Sequence, residues 1–244
     1  MKPKSNKTIA LEFYRKIIRD LDLALVENYI KEGYIQHSPI VKDGREGILT
    51  MLGFLKSMPK TGELSPSPIV RLIADGDFVA VHLDLKFMGK KMAVIDFYRL
   101  ENGKLAEHWD VTQMQPDYGE SAITMTNGTA VIEDVDTEGS KRVIRKFYDE
   151  VLIPRNPGGA GEFLTPGFIE HHVASGLLNG SNSETRVHKI IGEGNFVLSQ
   201  CECKSGDKVI ARYNIFKLED DKIAERWSVE QDVPDEMAHG NGMF

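Results

Sequence analysis

Asp96, His108 and Asp110 stand close together in the first half of the chain, and they are its best materials for proton chemistry. In an apolar cavity, burial raises a carboxyl pKa, and a second carboxylate or an imidazole nearby splits the values. One group can then take a proton while another gives it. Asp110 is the leading candidate for the transfer itself, with His108 and Asp96 positioning and polarising the reacting group. His37 could orient a substrate carbonyl or pair with a carboxylate. The same residues would also suit a structural network, with a buried aspartate bonding backbone amides and a histidine satisfying it. A metal site from His37, His108 and Asp96 would need two imidazoles and a carboxylate to converge, but no HxxxH spacing supports one, and no metal is expected. There is no G-x-S-x-G, no Walker loop and no dinucleotide glycine fingerprint, so no cofactor is expected. Gly158-Gly159-Ala160-Gly161 follows no strand and reads as a flexible connection rather than a phosphate cradle.

The elements that must hold these side chains occur twice. Phe13-Tyr14 returns as Phe147-Tyr148, and Tyr34-Ile35-Gln36-His37 as Phe168-Ile169-Glu170-His171, both at an offset of 134. Asp75-Gly76-Asp77-Phe78-Val79 then matches Glu193-Gly194-Asn195-Phe196-Val197 at an offset of 118. Trp109 matches Trp227 and Gln113 matches Gln231 at that same offset. The second copy is therefore 16 residues shorter between its histidine and its central strands. Apolar spacing predicts helices over 8–19, 23–30 and 47–58, the last ended by Pro59. After the Ser65-Pro66-Ser67-Pro68 loop, strands are predicted over 69–74, 78–87, 92–100 and 105–113 as an antiparallel meander. Helices followed by strands make an α+β unit whose sheet curls around its helices. The shortening would remove the third helix from the second copy. The expected division is 1–120 for a unit with an intact pocket, 121–138 for a linker, and 139–244 for a degenerate second unit.

The ordered series Tyr34-Ile35-Gln36-His37-Ser38-Pro39, Ile73-Ala74-Asp75-Gly76-Asp77, Asp96 to Lys104 and Glu107-His108-Trp109-Asp110-Val111-Thr112-Gln113 resembles the SnoaL-like polyketide cyclases of the NTF2-like superfamily. The likeness covers residues 8–117 and, more weakly, 140–235. It implies two tandem NTF2-like (cystatin-like) conical curled-sheet barrels with N-terminal helices and an internal pocket. It also implies cofactor-independent cyclase or isomerase chemistry, aldol-type closure or proton transfer, on a small hydrophobic carbonyl compound. The inward aspartate is then the usual acid/base, and His37 sits at the pocket rim. The family also contains members without known activity, so a non-catalytic protein that binds a small molecule is the alternative.

Which side chains face the pocket depends on the last hairpin. A two-residue Asn102-Gly103 turn would pair Glu101 with Lys104 and set Asp96 opposite Trp109. A type I turn with Gly103 as a bulge would pair Leu100 with Lys104, set Asp96 opposite His108 and Val94 opposite Asp110, and is preferred. In the preferred register Ile95, Phe97 and Trp109 are expected together on the convex face, whereas the other would spread Asp96 and Asp110 onto opposite faces. The second copy's inward positions become Arg212, Asn214, Arg226 and Ser228, while Tyr213, Ile215 and Trp227 stay apolar outside. The two arginines would bind an anion or pair with Glu170 and Glu202. A shared apolar convex face predicts an intramolecular pseudo-dimer, which could itself form a homodimer.

Composition agrees. The chain has 244 residues, 41% hydrophobic and 27% charged, with a formal charge of −7. That balance fits a globular protein and argues against a nucleic-acid partner. No apolar run is long enough to span a membrane, and the basic start lacks a signal peptide's apolar stretch, so the cytoplasm is the expected location. Cys201 and Cys203 are too close for an ordinary bridge and read as small core hydrophobes.

Overall fold

The structure, a computed structural model, describes residues 4–58, 67–171 and 184–244. Helix α1 (Asn6–Phe13) opens on Ser5, whose hydroxyl accepts from the Thr8 amide, and runs directly into a π-helical turn, Tyr14–Arg19. A 3-10 turn (Leu23–Leu25) and a short α2 (Val26–Tyr29) follow. The predicted second helix thus ends at Tyr29, and the chain leaves it as a strand the sequence reading did not anticipate, β1 (Ile30–Gln36). Helix α3 (Gly44–Ser57) buries Ile48 and Leu52; the expected stop at Pro59 and the start of the Ser65–Pro68 loop lie outside the described residues.

Strands β2 (Ile69–Asp75), β3 (Phe78–Phe87), β4 (Lys90–Glu101) and β5 (Lys104–Met114) complete one sheet in the order β1-β5-β4-β3-β2. Because β1 lies parallel to β5, the sheet is mixed rather than a pure antiparallel meander. Its inner face closes over α1 and α3, around Phe13, Ile17, Tyr34, Leu52, Val81 and Leu100.

The pattern repeats. Helix α4 (Thr137–Phe147) runs into a π-helical turn (Tyr148–Leu152), and a 3-10 turn (Pro157–Glu162) occupies the glycine-rich connection. Strands β6 (Leu164–Glu170), β7 (Glu184–Glu193), β8 (Phe196–Ser205), β9 (Lys208–Glu219) and β10 (Lys222–Asp232) form a second sheet ordered β6-β10-β9-β8-β7. The chain is a tandem pair of α+β units, each built on a five-stranded mixed sheet. The stretch 172–183, where a third helix of the second unit would fall, lies outside the described residues. Cys201 and Cys203 are free and fully buried in the second core.

The two sheets meet through their convex faces in one apolar layer containing Ile95, Phe97, Trp109, Tyr213, Ile215 and Trp227. Burying a large apolar side chain stabilises by about 1.5–3 kcal/mol, so this layer is a major part of the stability of both halves. Polar contacts across it come in matched pairs. The Thr112 amide donates to Gln231 Oε1 and the Glu230 amide to Gln113 Oε1, both at 2.9 Å. The Ala74 amide donates to Glu193 and the Gly192 amide to Asp75. Arg71 lies over the Trp227 ring at 4.0 Å, and Lys189, its counterpart, over Trp109 at 4.1 Å. Residue i of one copy meets j of the other while j meets i, the signature of a self-complementary contact.

Candidate active site

The β4–β5 hairpin adopts neither of the two expected registers. Asn102 and Gly103 both have positive φ (52° and 75°), which makes the tight two-residue turn and pairs Glu101 with Lys104. An irregularity then intervenes: Leu100 pairs with Leu105 but Arg99 pairs with Glu107, leaving Ala106 as the extra residue of a bulge. From there Tyr98 faces His108 and Asp96 faces Asp110. The preferred pairings of Asp96 with His108 and Val94 with Asp110 are therefore displaced by one turn type and one bulge. Because the alternation is preserved, Asp96, His108 and Asp110 still share the inner face, while Ile95, Phe97 and Trp109 face the other unit.

Strand β1 sorts Gln36 and His37 by the same alternation. Gln36 lies beside His108 in the parallel pair and points inward. His37, one residue on, points outward: it stacks on Trp109 (ring centroids 4.8 Å apart) and places Nε2 3.0 Å from Glu107 and Nδ1 2.9 Å from the Gly242 carbonyl. Bonds from Arg99 and His37 hold the Glu107 carboxyl below its ordinary value against the upward push of burial. His171 repeats the arrangement on Trp227, Glu225 and the Thr124 carbonyl. His37 is thus on the face of the sheet opposite His108 and Asp96, so it does not converge with them on one site. Among the described residues no group of histidine, cysteine and carboxylate side chains is arranged to hold a metal ion.

The inner cluster is a chain of hydrogen bonds. Gln36 Oε1 accepts from the backbone amides of His37 (3.0 Å) and Ser38 (2.8 Å), which fixes the orientation of its side-chain amide. The same oxygen lies 3.0 Å from His108 Nδ1, so that ring nitrogen must be the donor. His108 Nε2 then faces Asp96 Oδ1 at 3.2 Å, and a proton has to lie between them for the contact to be a hydrogen bond. Asp96 Oδ2 accepts from the Tyr14 hydroxyl, which the π-helical turn delivers, and Tyr98 OH lies 3.3 Å from Tyr14 OH. Burial first, and the Asp96 charge second, push both phenols well above their ordinary range, keeping them protonated donors.

Asp110 is left outside this chain. Its Oδ1 is buried with no hydrogen-bond partner among the described residues. Burial pushes its carboxyl above the ordinary value; His108 pulls down, Asp96 pushes up, and Ser38 and His239 pull down less. Two facing carboxylates thus have different states: Asp96 is saturated by Tyr14 and His108, while Asp110 has a free oxygen and a raised pKa. Sequence reasoning missed Gln36, Tyr14 and Tyr98. The recurrence of Tyr14 as Tyr148 was the available signal.

In the second unit the corresponding chain carries no proton acceptor of this kind. Arg226 donates to Asn214 Oδ1 from Nε (3.0 Å) and a terminal nitrogen (2.8 Å), and to Glu170 at 2.9 Å. Asn214 Nδ2 donates to Tyr148 OH at 2.9 Å. Ser228, at the position of Asp110, has a buried hydroxyl without a partner among the described residues. Arg212 pairs with Glu230 at 2.7 Å rather than with Glu202, which instead binds His188 and Lys204. Both arginines are occupied by internal carboxylates.

The family model for the SnoaL-like polyketide cyclases matches residues 8–117. No curated protein sequence matches the chain. Solved structures that resemble it include an NTF2-like protein of unknown function from Mesorhizobium loti (13% identity, TM-score 0.35, covering 42% of this chain and 99% of that one). TsrD from Streptomyces laurentii is similar at 17% identity and TM-score 0.36, with 45% and 92% covered. An LEH-like epoxide hydrolase from M. tuberculosis is similar at 16% identity and TM-score 0.33, with 39% and 85% covered.

Proposed function

We propose, from the match of residues 8–117 to the family model of the SnoaL-like polyketide cyclases, that the first unit is a cofactor-independent cyclase or isomerase acting on a small hydrophobic carbonyl compound. The observation that carries the proposal is the unequal pair of facing carboxylates. Asp110, with a raised pKa and an unpartnered buried oxygen, takes the proton next to the carbonyl. The carbonyl oxygen gains charge as that C–H bond breaks, and the protonated His108–Asp96 pair is the nearest source of a compensating hydrogen bond. The resulting enolate carbon either attacks a second carbonyl of the same molecule, closing a ring, or is reprotonated elsewhere, moving a double bond. Asp110 returns its proton in either case, so no external oxidant, reductant or metal enters the balance.

The second unit serves as the inert half of an intramolecular pseudo-dimer, and we assign the protein to the cytoplasm. Its acidic balance and two buried free thiols support that location. No helix among the described residues is long and apolar enough to cross a membrane.

The test is solvent exchange. Small β-dicarbonyl and polyketide-like compounds are incubated with the protein in D₂O, and deuteration beside the carbonyl is followed by NMR. Catalysed exchange that falls about 10²–10⁴-fold in Asp110→Asn is expected. Exchange unchanged by Asp110→Asn and Asp96→Asn would refute the assignment. A compound that binds tightly without exchange would select the non-catalytic binding protein instead.

A further inference from the structure

The loop that carries Gln36 and Ser38 is held by a segment of the other unit. After β10 the chain crosses back over the first unit. Asn241 Nδ2 donates to the Gln36 carbonyl (3.0 Å) and to Asp43 Oδ1 (2.9 Å), and that same Asp43 oxygen accepts the Gln36 amide at 2.8 Å. His239 Nε2 donates to the Ser38 carbonyl at 2.9 Å, and the Ala238 amide to the Pro39 carbonyl at 2.8 Å. His37 Nδ1 closes the clamp on the Gly242 carbonyl, and Met243 anchors the segment in the apolar layer between the sheets. These bonds to the first unit fall on residues 37–43 or on the backbone of Gln36, whose side chain orients His108.

We propose that residues 238–243, supplied by the second unit, are positioning residues of the first unit's site, with Asn241 and His239 fixing the loop that orients His108 and reaches Asp110. The proposal rests on the proton-transfer reading for its functional meaning, but its geometry is independent of that reading. It also gives the second unit a role its own interior lacks. The segment at the same offset of 118 in the first unit crosses the other way, where the Thr124 carbonyl meets His171. In that direction it reaches a unit whose interior is closed by Arg226 and Glu170. Only one of the two exchanged segments therefore serves a cluster that can move a proton.

The experiment uses the full chain and needs no substrate. Asn241 is exposed, so Asn241→Ala leaves the fold's cores untouched. Amide hydrogen exchange and ¹⁵N spectra of the His108 ring are recorded for wild type, Asn241→Ala and His239→Gln, with thermal unfolding as the control. Expected in both variants is at least about tenfold faster exchange at the Ser38 amide, which donates to Gln36 Oε1, while the His37 amide, also held by the His108 carbonyl at 2.8 Å, and β9 and β10 stay unchanged. The His108 ring signals should move or broaden as its Nδ1 partner loosens. An unchanged Ser38 amide and unchanged ring signals would overturn the proposal and leave the segment as packing alone. If the segment passes this test while Asp110→Asn leaves exchange chemistry intact, the proton-transfer reading fails and the positioning role stands.

Discussion

Asp110→Asn should make the protein more stable near neutral pH while abolishing the proposed chemistry. Directly opposed residues of an antiparallel pair have Cβ atoms about 5 Å apart, and two unit charges at that distance repel by about 3 kcal/mol at an effective dielectric near 20. The proton shared between His108 and Asp96 cancels much of this, and the buried, unpartnered Oδ1 of Asp110 adds desolvation cost. A net penalty of about 1–2 kcal/mol remains, which the amide of Asn would relieve. The pH dependence follows from the direction of the shift. Asp110 holds its proton in the folded chain at pH values where the unfolded chain has released it. Wild-type stability therefore falls as pH rises from the ordinary aspartate value, about 3.9, through the raised folded value, and the penalty is complete above it. Below that window the carboxyl is neutral in both states and the advantage of the variant vanishes. Urea unfolding of both proteins at pH 7 and at the acid edge of the stable range measures it; a gain of 1 kcal/mol corresponds to roughly 2–4 °C in Tm for a chain of this size. A variant that is less stable at pH 7, or whose advantage persists undiminished in acid, would refute the reasoning.

Tyr14→Phe removes a hydroxyl donated to the Asp96 carboxylate and should cost about 1.5–3 kcal/mol near neutral pH, read by the same unfolding curves. Gly128 has φ of 116°, and a Cβ there would lie 2.4 Å from Trp227 Cζ2; Gly128→Ala should destabilise by more than about 1 kcal/mol and shift Trp227 fluorescence. Trp227→Ala removes one of the two tryptophans of the layer between the sheets and should cost about 3–5 kcal/mol in calorimetry. A fragment ending at residue 120 exposes Phe97, Trp109 and their neighbours and should elute as an associated species in size-exclusion chromatography with light scattering.

The fold was legible because it occurs twice. Strands β3 to β5 recur as β8 to β10 at a constant offset, and Phe78–Phe87 was bounded correctly from its turns alone. Strand β1 was not legible. Its partner β5 lies far along the sequence and parallel, so no hairpin turn announces it, and its exposed middle at Glu32 and Gly33 breaks the alternation that marks a strand. Missing β1 carried its own penalty: without it, nothing says that Gln36 faces inward and His37 outward. The hairpin failed for a different reason. The bulged type I turn was preferred over the two-residue Asn102-Gly103 turn that forms, and the bulge at Ala106 leaves no mark in residue type. Asp96, His108 and Asp110 survived that error because all even positions share a face, and only their direct partners changed.

Linking two copies in one chain explains how they could diverge so unequally. In a dimer of identical chains any change to the inner cluster appears in both copies, whereas a tandem can alter one interior and keep the shared face. The differences follow that division. Across the sheets, Trp109 and Trp227, His37 and His171, Gln113 and Gln231 make matching contacts. Inside, Gln36–His108–Asp96–Tyr14 became Glu170–Arg226–Asn214–Tyr148. The two chains have the same connectivity but opposite proton inventories. The first needs a mobile proton between an imidazole and a carboxylate, beside a second carboxyl with an unpartnered oxygen. The second joins a guanidinium to a carboxylate and an amide, with a serine rather than a second carboxyl facing it. Arg226→His with Asn214→Asp in the second unit would restore the groups of His108 and Asp96 but not Asp110, and Ser228→Asp would complete the set. If proton-transfer capacity resides in this cluster, solvent exchange should rise only in the triple variant. Activity in the double variant would mean that the facing carboxylate is dispensable, and the reading of Asp110 as the base would fall with it.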